Sequence, residues 1–120
     1  ISAYLDWMVP APAQGAMAVM IREGDQKMLE ITSLLNDPET ERCTSAERDL
    51  LNEMEAGCSA PVGAHATIQN SEISLYAVAL KTDGSVRYEV TLTAPADSPG
   101  EIGRDAARNL LDQGAGSLLD

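Results

Sequence analysis

At 120 residues and 44% apolar, the chain is long enough for one ordinary domain with its own core and too apolar for a disordered protein. Eight basic against nineteen acidic residues leave a net charge of -11, a surface that repels phosphate backbones and anionic lipid, so neither a nucleic-acid nor a membrane-surface role is expected. No apolar run approaches the roughly 20 residues of a membrane span. No basic leader marks a signal peptide, and two cysteines without a secretory context make no disulfide framework; the expected setting is cytoplasmic. The chain starts at Ile1 rather than at a methionine, which suggests a piece of something longer.

In chain order, Ile1 to Met8 reads as the end of a helix, and Pro10 and Pro12 then interrupt regular structure. Ala16 to Ile21 is a short apolar run between Gly15 and Arg22-Glu23-Gly24 and reads as a buried strand. Asp25 is an N-cap for a helix whose apolar residues Met28, Ile31, Leu34 and Leu35 recur at helical spacing. Asn36-Asp37-Pro38 closes that helix and opens the next, with Asp37 as cap and Pro38 at the first helical position. The second helix is expected to run to about Glu55, with Cys43, Ala46, Leu50, Leu51 and Met54 on its buried side. Gly57 is placed to end it, and Cys58 follows in a loop that Pro61 and Gly63 keep irregular.

Three strands come next. Ala64 to Gln69 leads through a tight turn at Asn70-Ser71 into Glu72 to Thr82. There Ile73, Leu75, Ala77 and Ala79 alternate with Ser74, Tyr76, Val78 and Leu80. Asp83-Gly84 is a hairpin signal, and Val86 to Ala94 returns with Val86, Tyr88, Val90 and Leu92 on one face. After a loop with Asp97 or Ser98 available as cap, a last helix buries Ile102, Ala106, Ala107 and Leu110 and is ended by Gly114 and Gly116. The pattern is that of an α+β layer: a small three-stranded antiparallel sheet covered by helices, preceded by a strand–helix segment that needs a partner sheet from elsewhere.

Cys58 is the leading candidate for chemistry. It follows a helix C-terminus, where the dipole does not favour a thiolate, and no lysine or arginine adjoins it, so the residues alone give no activated nucleophile. Cys43 reads as a core cysteine and His65 as a strand-end histidine. The spacing of Cys43, Cys58 and His65 fits no zinc pattern, and no phosphate-binding glycine loop occurs; no metal site is expected.

Three stretches, Pro10-Ala11-Pro12-Ala13-Gln14-Gly15-Ala16, Thr44-Ser45-Ala46-Glu47-Arg48 and Glu55-Ala56-Gly57-Cys58-Ser59-Ala60-Pro61-Val62-Gly63, together resemble the C-terminal part of the porphobilinogen deaminase (hydroxymethylbilane synthase) family. The resemblance covers essentially the whole chain and is most specific around Cys58. It implies a three-domain transferase of tetrapyrrole biosynthesis that links four porphobilinogen molecules head to tail, releasing ammonia, on a dipyrromethane cofactor held by a thioether. Cys58 would be the anchor. Gln14 and Arg22 match positions at the domain junction, and Arg48 a family arginine on the helix before the cofactor loop; the plain alternative for both arginines is a surface ion pair.

The resemblance also divides the chain. Residues 1–36 would be the return of the chain into the incomplete first domain, and residues 37–120 the cofactor-bearing C-terminal α+β domain. The catalytic residues belong to the missing first and second domains, so the chain alone is expected to be inactive. Its partners would be those domains, porphobilinogen and the growing polypyrrole, with no nucleic acid and no membrane. The apolar strand Ala16–Ile21 is also a template for a homodimer or swapped pairing. Where the family commonly has glycine, this chain has Ala13, Ala18 and Ala56. Two other readings stay open: a non-enzymatic binding module that keeps the fold, and redox or metal binding through Cys43 and Cys58.

Overall fold

The structure is a computed structural model that describes residues 2–5, 7–54 and 61–118. The expectations placed on Glu55, Ala56, Gly57 and Cys58 lie outside the described residues. Within them, Asp25 and Asp37 each do what a short carboxylate does at a helix start. Asp25 accepts from the Met28 N–H at 3.1 Å and opens α1 (Gln26–Ser33), and Asp37 accepts from the Thr40 N–H at 2.8 Å and opens α2 (Pro38–Glu53). Pro38 sits in the first turn of α2, where its missing N–H costs nothing.

The alternating segments form β1 (Val62–Gln69), β2 (Glu72–Leu80) and β3 (Arg87–Pro95), an antiparallel meander in the order β1-β2-β3. Its two turns are at Asn70-Ser71, both with positive φ (51° and 62°), and at Asp83-Gly84, where Asp83 accepts from the Ser85 N–H. Register puts Ala64, Ala66, Ile73, Leu75, Ala77, Ala79, Tyr88, Val90, Leu92 and Ala94 on one face. α2 lies over β1 on that face, and α3 (Ile102–Gln113) over β2 and β3. Alanines at the middle of β1 and β2 let the helices approach. Leu50, Ile73, Leu75 and Leu110 fill the layer between and are fully buried, each worth about 1.5–3 kcal/mol relative to exposure.

The helices meet each other where Gly103 faces Ala46. A Cβ on Gly103 would lie 2.2 Å from the Ala46 carbonyl oxygen, so only glycine fits that seam. Gly114 ends α3 at φ +112°, and the short 3-10 helix η1 (Ala115–Leu118) brings Leu118 back against the core. The architecture is thus α+β, a three-stranded antiparallel sheet with helices on one face.

Other local expectations change, among them Gly63, which lies within β1 rather than in the loop before it. Residues 16–21 form no strand, and 16–20 stand in solvent, with Met17 98% and Met20 95% exposed; an apolar run becomes a strand only where another strand pairs with it, and none does among the described residues. Residues 2–5 and 7–8 are not helical, with Pro10 following too soon for a helix to close its bonds. The residue capping α3 is Glu101 rather than Asp97 or Ser98, and it makes no side-chain cap bond. α1 buries no residue, although its apolar spacing is helical.

Candidate functional site

The segment that carries Cys58 is bounded by two fixed points. On the entering side, Met54 at the end of α2 is buried and donates its N–H to the Leu50 carbonyl at 3.0 Å. On the leaving side, the Pro61 carbonyl accepts from the Leu80 N–H at 2.8 Å, which sets the start of β1 against the end of β2. Cys58 itself lies outside the described residues.

Beside β1 runs an irregular strap, residues 7–15. Val9 packs on Gly63, where an added Cβ would meet the Val9 side chain at 3.1 Å and the Pro10 carbonyl oxygen at 3.2 Å. The Ala64 N–H donates to that same Pro10 carbonyl at 3.0 Å. Trp7, Met8, Val9 and Pro10 form one wall of a groove on the outer face of the sheet, opposite His65, Tyr76 and Arg87. Arg87 donates to the Tyr76 hydroxyl at 2.6 Å and to Glu89 at 3.0 Å, while the Tyr76 hydroxyl donates to Glu89 at 2.7 Å. The Tyr76 bond and the Arg87 charge hold the Glu89 carboxyl below its ordinary range.

Glu47 is the buried charged residue of the site, and sequence reasoning missed it. Its side chain is 8% exposed. Oε1 accepts from the Ala66 N–H at 2.7 Å, and Oε2 accepts from the Ala13 N–H at 2.6 Å. Hydrogen bonds to a buried charge are each worth about 1.5–3 kcal/mol, so this carboxylate repays its burial. A signal was available: Cys43, Glu47, Leu50 and Met54 share one helical face at spacings i, i+4, i+7 and i+11.

The other sequence candidates are distributed over the surface. Gln14 is exposed and folds back on its own turn, its Oε1 accepting from the Ala11 N–H at 3.1 Å while its N–H donates to the Ala11 carbonyl. Arg22 and Arg48 are exposed, and neither has a carboxylate within ion-pair distance among the described residues; the surface ion pairs considered for them do not form there. Arg87, Arg104, Arg108 and Lys81, by contrast, are paired. Cys43 is half-buried against the core, and burial, reinforced by the carboxylates of Glu47, Glu39 and Asp37, pushes its thiol pKa up, which disfavours the reactive thiolate. His65 is largely exposed, its Nδ1 3.9 Å from Glu47 Oε1. Among the described residues no cluster of side chains could hold a metal ion, and no helix is long and apolar enough to cross a membrane.

Comparison with known proteins agrees with this layer. Residues 40–112 match the family described as porphobilinogen deaminase, C-terminal domain, a span that runs from α2 through the meander to the end of α3 and includes Cys58. The chain is 42% identical over 122 residues to the porphobilinogen deaminase of Geobacillus kaustophilus (strain HTA426), covering 100% of this chain and 39% of that protein. It is 42% identical over 121 residues to that of Nocardia farcinica (strain IFM 10152), covering 93% and 35% respectively. The corresponding protein of Rubrobacter xylanophilus is 40% identical over 114 residues, 95% of this chain and 37% of its own length. The chain therefore spans less than two fifths of the length of these relatives.

Proposed function

Because the chain belongs to the porphobilinogen deaminase family and corresponds to its C-terminal domain, we propose that it works as the cofactor-bearing part of a hydroxymethylbilane synthase, a transferase of tetrapyrrole biosynthesis. The match that runs through the Cys58 segment carries this reading. In it, Cys58 holds a dipyrromethane through a thioether, and residues 37–120 form the domain that presents it. That group, when bound, supplies the α-carbon onto which porphobilinogen units are added with loss of ammonia.

The donor set of the described residues suits such a group. Arg22 and Arg48 keep their charge uncommitted among the described carboxylates, and a guanidinium is suited to the acetate and propionate groups of a pyrrole. Cys43 packs half-buried against the core, so Cys58, between the held residues Met54 and Pro61, is the thiol we take to be presented. Anchoring needs that presentation and no permanently depressed pKa. Residues 1–36 we read as the return of the chain into a first domain; the solvent exposure of Met17, Met20, Leu34 (84%) and Leu35 (71%) supports it, since so much apolar surface ordinarily faces a partner. The other domains supply proton transfer, so the chain alone is expected to turn over no porphobilinogen.

The test is the intact mass of the full-length protein with peptide mapping at Cys58, alongside Cys58→Ser. A two-pyrrole adduct on Cys58, absent in the serine variant together with activity, is expected. An unmodified Cys58 in a folded full-length protein would refute the anchor and favour a binding module that keeps the fold.

A further inference from the structure

The anchoring chemistry at Cys58 makes no use of Glu47, yet this is the one buried charged residue among those described. β1 is an edge strand, paired with β2 on one side only. On its open edge the Ala64 N–H finds the Pro10 carbonyl, and the Ala66 N–H finds Glu47 Oε1. Glu47 and the strap thus stand where a further strand would have been. The second oxygen of Glu47 takes the N–H of Ala13, a non-glycine residue at φ +60°. An L-residue stays in that region only when its surroundings hold it there. A carboxylate is the side chain that suits the place: two acceptor oxygens, no donor, facing two N–H groups.

We infer that Glu47 is a positioning residue. From the helix that enters the Cys58 segment, it joins the strand that leaves that segment to the strap that carries Gln14. That side chain therefore adds, at Ala13, to the hold that the Pro10 carbonyl and Val9 already have on β1, and fixes residues 10–15 against the C-terminal layer. The consequence for the reaction rests on Cys58 being the pyrrole anchor; the latch itself does not.

The test uses Glu47→Gln in the full-length protein. Glutamine keeps one acceptor, which goes to the more buried Ala66 N–H, and turns an NH2 toward the Ala13 N–H. Amide exchange at Ala13 is expected to speed up about tenfold or more, the loss of one hydrogen bond to a charge, while Ala66 and Leu75 exchange as before. A merely structural role would loosen all three together. With the Ala13 end of the strap loosened, kcat is expected to fall about tenfold, with KM for porphobilinogen within about twofold and the adduct on Cys58 retained. Ala13 exchanging as in the parent protein would overturn the latch, and a freed Ala13 with unchanged kcat would overturn the positioning role. Should the glutamine form not hold its core, Glu47→Asp, whose shorter stem reaches one donor and not both, gives the same selective readout. If the parent protein carries no pyrrole on Cys58, the anchor reading fails while exchange at Ala13 still decides the latch.

Discussion

Replacing Gly103 by alanine tests the packing that holds the two helices over the sheet. The new methyl would sit 2.2 Å from the Ala46 carbonyl oxygen, 2.9 Å from Asp49 Cβ and 3.0 Å from the Leu50 nitrogen. Even a close carbon–oxygen contact needs about 3.3 Å, so α2 and α3 must part by about 1 Å. Two of the three atoms struck are backbone and cannot turn aside, which puts the cost at the upper end of overpacking, about 3 kcal/mol. Helix propensity works the other way, since alanine in a helix is favoured over glycine by about 1 kcal/mol. The net loss is about 2 kcal/mol, and at about 4–8 °C per kcal/mol for a domain of this size Tm drops by about 8–16 °C. Urea unfolding followed by far-UV circular dichroism reads it directly, with Gly116→Ala as control because its Cβ would meet only Leu111 Cδ2 at an ordinary 3.6 Å. If Gly103→Ala unfolds at or above the parent midpoint, the seam is not as close as described and the argument fails.

Two further outcomes follow from other parts of the molecule. Ala13→Gly removes the left-handed penalty of about 1–2 kcal/mol at the cost of about 0.5–1 kcal/mol of chain entropy, so a gain of about 0.5–1 kcal/mol is expected in the same unfolding assay; a loss would mean that φ +60° carries no strain there. Asp37, Asp83 and Glu89 are held below their ordinary values of 3.8, 3.8 and 4.5, chiefly by hydrogen bonds from Thr40, Ser85 and Tyr76. A depressed folded pKa stabilises the fold above the unfolded value, and that gain is lost as pH falls through the folded one. Stability should therefore decline from about pH 4.5 downward, less steeply in Asp37→Asn, which keeps a capping oxygen but does not titrate; an unchanged acid profile in that variant would remove the cap from the account.

Local chemistry was the legible part of the fold. Asp25 and Asp37 announced two helix starts because a cap needs only the next three residues, and Asn70-Ser71 and Asp83-Gly84 announced both turns for the same reason. Period-two alternation picked out Ile73, Leu75, Ala77 and Ala79 as the buried face of β2, and missed only that Val78 on the other face is buried as well. What failed depended on partners distant in sequence. Among the described residues, the run at residues 16–21 has strand composition and no strand beside it, and α1 buries no residue. Glu47 was passed over because its bonds go to Ala13 and Ala66, 34 and 19 residues away. At the site, periodicity could offer Cys58 only as a thiol on a turn; its proposed role came from motif resemblance, which the family match now supports at the level of the domain.

The meander also dictates an order of assembly. β1, β2 and β3 pair through two short turns between sequence neighbours, so little loop entropy opposes their closure and hairpins of this kind form within about 1–10 μs. α2 and α3 lie on either side of that meander in the sequence, so bringing Ala46 to Gly103 closes a much longer loop, at a larger entropic cost. On this topology the helix seam is expected to form late. Contacts made after the barrier govern how fast a protein comes apart rather than how fast it forms. Loosening the close approach at Gly103 is therefore expected to speed unfolding more than it slows folding, and so to shorten the time for which Met54 and Pro61 hold the two ends of the Cys58 segment, which the unfolding and refolding rates of Gly103→Ala would read.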